Sequence, residues 1–71
     1  MRNYTLGRKL CYWRESQKLT QGELGKNLGV DRSTISKWER GYHPSFEHAF
    51  RLEHRTKGVI KAKFWLSDKA S

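Results

Sequence analysis

An all-α fold, a compact bundle of four to five short helices, is what this sequence predicts, and three observations predict it. Apolar residues recur at helical spacing in short segments. Ser, Thr, Asp and Asn stand where helix N-caps are needed, and Gly stands where helices end. The lone proline, Pro44, falls between two periodic segments. With 71 residues and no repeat, low-complexity tract or linker, residues 1–71 are expected to form one small domain with a single core.

Each element has its own justification. Leu6, Leu10 and Trp13, at i, i+4 and i+7, place one stripe on a first helix running to about Ser16, capped by Thr5 or Asn3, with Arg8, Lys9 and Tyr12 facing elsewhere. Thr20-Gln21-Gly22-Glu23 is a capping box, in which a hydroxyl and a carboxylate satisfy each other's orphan N–H groups. It opens a second helix with Leu24 and Leu28 inward. Gly29 suits a left-handed helix end, and Val30-Asp31 supplies a buried apolar group and an N-cap for a third helix. Two helices are thus joined by a very short turn within about 20–40.

In the third helix Ile35 and Trp38 face inward, while Arg32, Ser33, Ser36, Lys37 and Arg40 form one polar stripe. Gly41 ends it. Ser45 with Glu47 starts a fourth helix, for which Phe46, Ala49, Phe50 and Leu52 are expected as apolar contacts to about Thr56, with Gly58 closing it. Val59–Leu66 lacks a clean period and fits a short helix or a strand; helix is the expectation, and 59–71 is either a fifth helix or a dimer tail. The Phe64-Trp65-Leu66 cluster packs either on helix 1 or on a second copy.

Composition narrows the function. Fifteen Lys and Arg against seven Asp and Glu give a net charge of +8, which favours a polyanionic partner, either nucleic acid or an anionic membrane surface. No apolar run approaches the roughly 18 residues of a membrane span, and no secretory signal opens the chain, so a soluble intracellular protein is expected. Cys11 has no partner for a disulfide. The three histidines lack metal-site spacing, and no Ser, His and Asp arrangement suggests a nucleophile. Neither catalysis, nor a metal, nor a cofactor is expected. Trp13, Trp38 and Phe50, at helical spacing beside leucines, read as core rather than as stacking platforms for single-stranded bases; His48 and His54 read as solvated.

The stretch Leu19-Thr20-Gln21-Gly22-Glu23-Leu24, then Gly29-Val30 through Ile35, Trp38, Glu39 and Gly41, resembles the Cro and C1 type helix-turn-helix repressors, the XRE-like family. The similarity covers roughly Leu6 to Thr56. It implies a lambda-repressor-like DNA-binding fold, and Glu53–Ile60 is similar to the end of short phage-type Cro proteins, implying a phage or prophage origin. Gly25 departs from the family's usual alanine; both are small enough for close helix approach, but glycine costs about 1 kcal/mol of helix propensity.

On this reading the partner is double-stranded DNA. The major groove admits one helix, whose side chains match base edges. Arg32, Ser33, Ser36 and Lys37 are the candidate base readers, since Arg or Lys donates to guanine O6 and N7 and serine reaches base or phosphate. Gln21, at a helix N-terminus, resembles the family's phosphate-anchoring glutamine. Arg40, Tyr42 and His43 are expected on the phosphate backbone. The resemblance also pairs Arg14 with Glu39 as a structural salt bridge.

Because one helix reads few base pairs, a homodimer on DNA, weak in solution, is expected on a pseudo-palindromic operator in the cytoplasm of a bacterial host cell, at the nucleoid, acting as a Cro-like repressor without a small-molecule ligand. Two alternatives remain open. One is an antitoxin or restriction-modification controller of the same fold with a protein partner; the other is a non-specific binder driven by charge.

Overall fold

The first helix begins where the chain supplies a cap, the Asn3 side chain accepting from the Leu6 N–H at 3.0 Å. The computed structural model describes residues 2–66, with Leu66 by its backbone alone. Among these residues the structure is all-helical, in the order α1 (Tyr4–Ser16), α2 (Gln21–Leu28), α3 (Arg32–Glu39), α4 (Phe46–Arg55) and α5 (Ala62–Leu66). Of the two candidate caps for α1, Asn3 is the one used.

The capping box forms as the sequence predicts. Glu23 N–H donates to the Thr20 hydroxyl at 3.1 Å, and Thr20 N–H donates to Glu23 Oε1 at 2.8 Å. Gly29 takes a left-handed conformation, φ 77°, which lets the Val30 N–H turn back to the Gly25 carbonyl at 2.8 Å. Residues 29–31 are therefore the whole connection to α3. The absent side chain of Gly25 allows the fit: a Cβ there would stand 2.6 Å from the Val30 carbonyl oxygen. An alanine would not be accommodated without a shift of this turn, so the two residues are not equivalent here.

Leu6 and Leu10 of α1, Leu24 and Leu28 of α2, Ile35 and Trp38 of α3, and Ala49 and Leu52 of α4 meet in one core. Val30 and Trp13 pack at its edge, only partly buried. The spacing i, i+3, i+4 and i+7 turns these side chains to a shared side, and their removal from water stabilises the bundle by roughly 1.5–3 kcal/mol per large side chain. α3 packs on both α1 and α2. Gly7 lets α1 approach the end of α3, because a Cβ there would lie 2.7 Å from both the Glu39 carbonyl oxygen and the Gly41 nitrogen. Asn3 N–H donates to the Gly41 carbonyl at 2.8 Å, tying the N-terminal segment to the same place.

Two expectations for α4 are overturned. Phe46 and Phe50 are 67% and 57% exposed and do not belong to the core. Ala49, Leu52 and Thr56 share the inward side of this helix; at about 100° per residue, the two phenylalanines lie roughly a quarter to a third of a turn away from it.

The tail is a short helix docked by specific bonds rather than by periodicity. The buried Thr56 hydroxyl donates to the Leu52 carbonyl at 2.8 Å and accepts from the Ile60 N–H at 3.0 Å, while Glu53 Oε1 accepts from the Ala62 N–H at 2.9 Å. These place Ile60, Ala62 and Trp65 in the core. Lys57 and Gly58, both at positive φ, make the reversal between α4 and α5. Trp65 is thus covered within one copy, and Phe64 lies near α1, with the Lys9 ammonium 5.7 Å from its ring centroid. The Leu66 side chain and residues 67–71 of the expected tail lie outside the described residues.

Candidate nucleic-acid interface

α3 is held from behind and open in front. Ile35 and Trp38 are buried, whereas Arg32, Ser33, Lys37 and Arg40 are exposed and Ser36 is half-buried. The helix starts here because Asp31 caps it, accepting from the Thr34 hydroxyl at 2.7 Å and from the Thr34 N–H and Ser33 hydroxyl at 3.3 Å each. Those bonds, led by the one from the Thr34 side chain, hold the Asp31 carboxyl below the usual carboxylate range. The Ser33 hydroxyl is thereby tied to the cap on an exposed residue.

Gln21 begins α2 and is half-buried beside α3. Its Nε2 donates to Glu39 Oε1 at 2.9 Å, and the same carboxylate takes Arg14 Nε on its other oxygen. The amide oxygen of Gln21 takes no part in that bond. Gln21 stands between two shallow concavities of the surface. One joins it to Arg32, Lys18 and Thr20; the other joins it to Ser36, Arg40 and Arg8. The structure therefore brings Gln21, Arg32, Ser36 and Arg40 onto one side of the molecule.

At the C-terminal end of α3, Arg40 Nε donates to the Ser36 carbonyl at 3.4 Å, and its guanidinium carbon lies 5.9 Å from the Tyr42 ring centroid. Tyr42 is exposed and carries a second cation: the Arg2 guanidinium carbon is 4.3 Å from its centroid and 5.3 Å from that of Tyr4. His43, also exposed, meets the edge of Trp65 at 5.7 Å between centroids, so its ring is placed toward α5 rather than beside Gln21 and Arg32.

Three cations beside this surface escaped the sequence reading. Arg2 lies too close to the chain start for a helical period to place it. Arg8 faces away from the apolar stripe of α1, as its spacing predicts, but only the packing of α1 on α3 sets it beside Ser36 and Arg40. Lys18 stands in the α1–α2 turn at φ 59°, and no pattern signals its direction.

The remaining chemistry is plain. Burial, with the charges of Glu39 and Glu15, pushes the Cys11 thiol up, which keeps it protonated and poorly nucleophilic at neutral pH. Among the described residues no group of His, Cys, Asp and Glu could hold a metal ion, and no helix is long and apolar enough to cross a membrane.

The helix-turn-helix family profile matches residues 12–57. A protein of Halobacterium salinarum named as an HTH-type transcriptional regulatory protein is 42% identical over 57 residues, covering 80% of this chain and 18% of its own length. An HTH-type transcriptional regulator of Methanocaldococcus jannaschii is 49% identical over 45 residues, 62% of this chain and 68% of its own. The HTH-type transcriptional regulator DicA of Escherichia coli is 36% identical over 52 residues, 72% of this chain and 38% of its own. The chain thus spans less than a fifth of the Halobacterium relative. No solved structure matches significantly.

Proposed function

This chain belongs to the Cro/C1-type helix-turn-helix family, and on that premise we propose that it is a sequence-specific DNA-binding transcription regulator, a Cro-like repressor that occupies a pseudo-palindromic operator as a homodimer. α3 enters the major groove. Arg32 and Lys37 donate to guanine O6 and N7, and Ser33 and Ser36 contact a base edge or a phosphate. Gln21, at the positive end of α2, anchors a phosphate, while Arg40, Tyr42 and His43 contact the backbone beyond the other end of α3. The 71 residues act as one DNA-binding unit.

The observation that carries this reading is the split character of α3: Ile35 and Trp38 hold one side in the core, and Arg32, Ser33 and Lys37 stand clear of the rest of the molecule on the other. A bidentate base contact is worth about 1–3 kcal/mol of discrimination, which a merely solvated basic face does not supply.

Selection of bound duplexes from a random pool tests the proposal. The expected product is a two-fold symmetric site with half-sites about one helical turn apart, preferred over random duplex by at least about 10³-fold. Equal competition by random duplex, with affinity falling alike for all sequences as salt rises, would leave only a charge-driven binder.

A further inference from the structure

Residues 1–14 carry Arg2, Arg8, Lys9 and Arg14 and no Asp or Glu. Arg14 is paired with Glu39, whereas Arg2 and Arg8 are exposed and, among the described residues, joined to no carboxylate. On a chain of charge +8 a single exposed cation is ordinary, but the surroundings of these two are not. Arg8 lines a concavity of about 340 Å³ together with Tyr4 of α1, Gln21 of α2, and Ser36 and Arg40 at the end of α3. Glu39 lines it too, but its oxygens are held by Arg14 and Gln21, so the open charge of this hollow is positive. Arg2 lies over two rings, its guanidinium carbon 4.3 Å from the centroid of Tyr42 and 5.3 Å from that of Tyr4.

From these two observations, and resting on the DNA-binding reading above, we infer that the start of α1 is a further grip on the duplex backbone: one phosphate seats in the hollow between Arg8 and Arg40, and another meets Arg2, with the ring of Tyr42 as the positioning residue that holds Arg2 there. The chemistry suits a phosphate. A guanidinium stacked on a ring uses its face and leaves its in-plane N–H donors free, which is the edge that bonds a phosphate in two-pronged fashion. The Arg2 side chain does not hang from a loose end, because the Asn3 N–H donates to the Gly41 carbonyl at 2.8 Å and ties this segment to the turn after α3.

Position selects the duplex as the source of that phosphate. Ser36 and Arg40 line the same hollow, so an anion lying in it also touches the helix proposed to enter the major groove. The neighbouring cations are less well placed. Lys9 stands 5.7 Å from the ring centroid of Phe64, which directs it toward α5, and the concavity on the other side of Gln21 sets the exposed carboxylate of Glu15 beside Lys18. Like charge there works against a phosphate, so Arg2 and Arg8 are the cations that extend the contact.

Fluorescence anisotropy titrations of the selected duplex and of a random duplex, each across a series of salt concentrations, test this. Arg8→Gln and Arg2→Gln each lower the salt slope by about 0.9 and weaken both duplexes alike, by roughly five- to tenfold at about 0.1 M salt, with thermal unfolding little changed because both residues are exposed. Lys57→Gln, in the α4–α5 reversal and outside both concavities around Gln21, removes the same charge and lowers the slope by clearly less. Tyr42→Phe keeps the ring and leaves the slope unchanged, whereas Tyr42→Leu moves it toward that of Arg2→Gln. Arginine variants that behave like Lys57→Gln, or that lose only the selected duplex, would overturn the inference, and a Tyr42→Phe slope as low as that of Tyr42→Leu would overturn the role of the ring. The losses are read on random duplex as well, so a wild type that prefers no sequence yet loses grip with Arg8→Gln and Arg2→Gln removes sequence-specific regulation and leaves this contact standing.

Discussion

Arg14 of α1 and Glu39 of α3 form a two-pronged ion pair, Nε to Oε2 at 2.5 Å and Nη2 to Oε1 at 3.3 Å, with only 12% and 8% of the side chains exposed. The resemblance to helix-turn-helix repressors implies this pair, and the structure forms it. It also adds what the resemblance did not carry: Gln21 of α2 donates to the same carboxylate, and Arg14 Nη1 donates to the Leu19 carbonyl at 2.7 Å. One carboxylate thus joins three helices and holds the Gln21 side chain.

Glu39→Gln leaves the Arg14 charge in a mostly covered place without its partner. It is expected to destabilise the fold by about 2–4 kcal/mol in urea unfolding, while Arg14→Met with Glu39→Leu recovers at least about half of that loss. Full additivity of the two single changes would count against a coupled pair.

The roles proposed for α3 and for Gln21 separate base reading from backbone grip. Lys37→Ala or Arg32→Ala is expected to weaken binding to the selected operator by about 1–3 kcal/mol and to relax choice at one base position, whereas Gln21→Ala weakens every duplex alike and, since the amide carries no charge, leaves the salt slope unchanged. Competition titrations at two salt concentrations check this, and uniform losses for all three variants would sink the base-reading roles.

Two glycines in neighbouring helices should respond oppositely to alanine. A Cβ at Gly22 meets nothing nearer than the Thr20 hydroxyl at 3.9 Å, so Gly22→Ala gains about 0.5–1 kcal/mol from helix propensity. At Gly7 the same group would press on backbone of Trp38, Glu39 and Gly41 within 2.8 Å, and Gly7→Ala is expected to cost about 1–3 kcal/mol by pushing α1 from α3. Thermal melts of the two variants decide; a stabilised Gly7→Ala protein contradicts the close approach.

Asp31 gives α3 an acid limit. Its carboxyl is held below the ordinary range by the Thr34 side-chain and backbone bonds, so its capping contribution is complete above the unfolded-state value near about 4 and fades as pH falls through the lower folded-state value. Asn caps about equally well without titrating. Asp31→Asn is therefore expected to narrow its stability gap to the wild type as pH drops below about 4, as read by circular dichroism melts. A gap that stays constant with pH would show that the charge of Asp31 does not serve the cap.

Local rules made much of this protein readable. Asn3, Thr20 with Glu23, Asp31 and Ser45 are side chains that cap a helix within three residues of their own position, and Gly29 ends one, so no distant contact is needed to foresee them. The same holds for α3, where an eight-residue helix with Ile35 and Trp38 inward leaves Arg32, Ser33 and Lys37 outward by geometry alone. Phe46 and Phe50 broke the rule that apolar residues at helical spacing are core, because α4 carries two apolar stripes and the period does not say which one another element covers.

That choice belongs to the tertiary structure. Helix existence, capping and the polarity of each face follow from interactions spanning about one turn, and the 71 residues determine them by themselves. Which way Arg2, Arg8 and Lys18 point, that Gln21 shares Glu39 with Arg14, and that Trp65 closes the core while Phe50 stays wet depend on backbone approaches at Gly7 and Gly25 and on the bonds of Thr56 and Glu53. Those are contacts between distant segments, and their geometry exists only once the helices have packed.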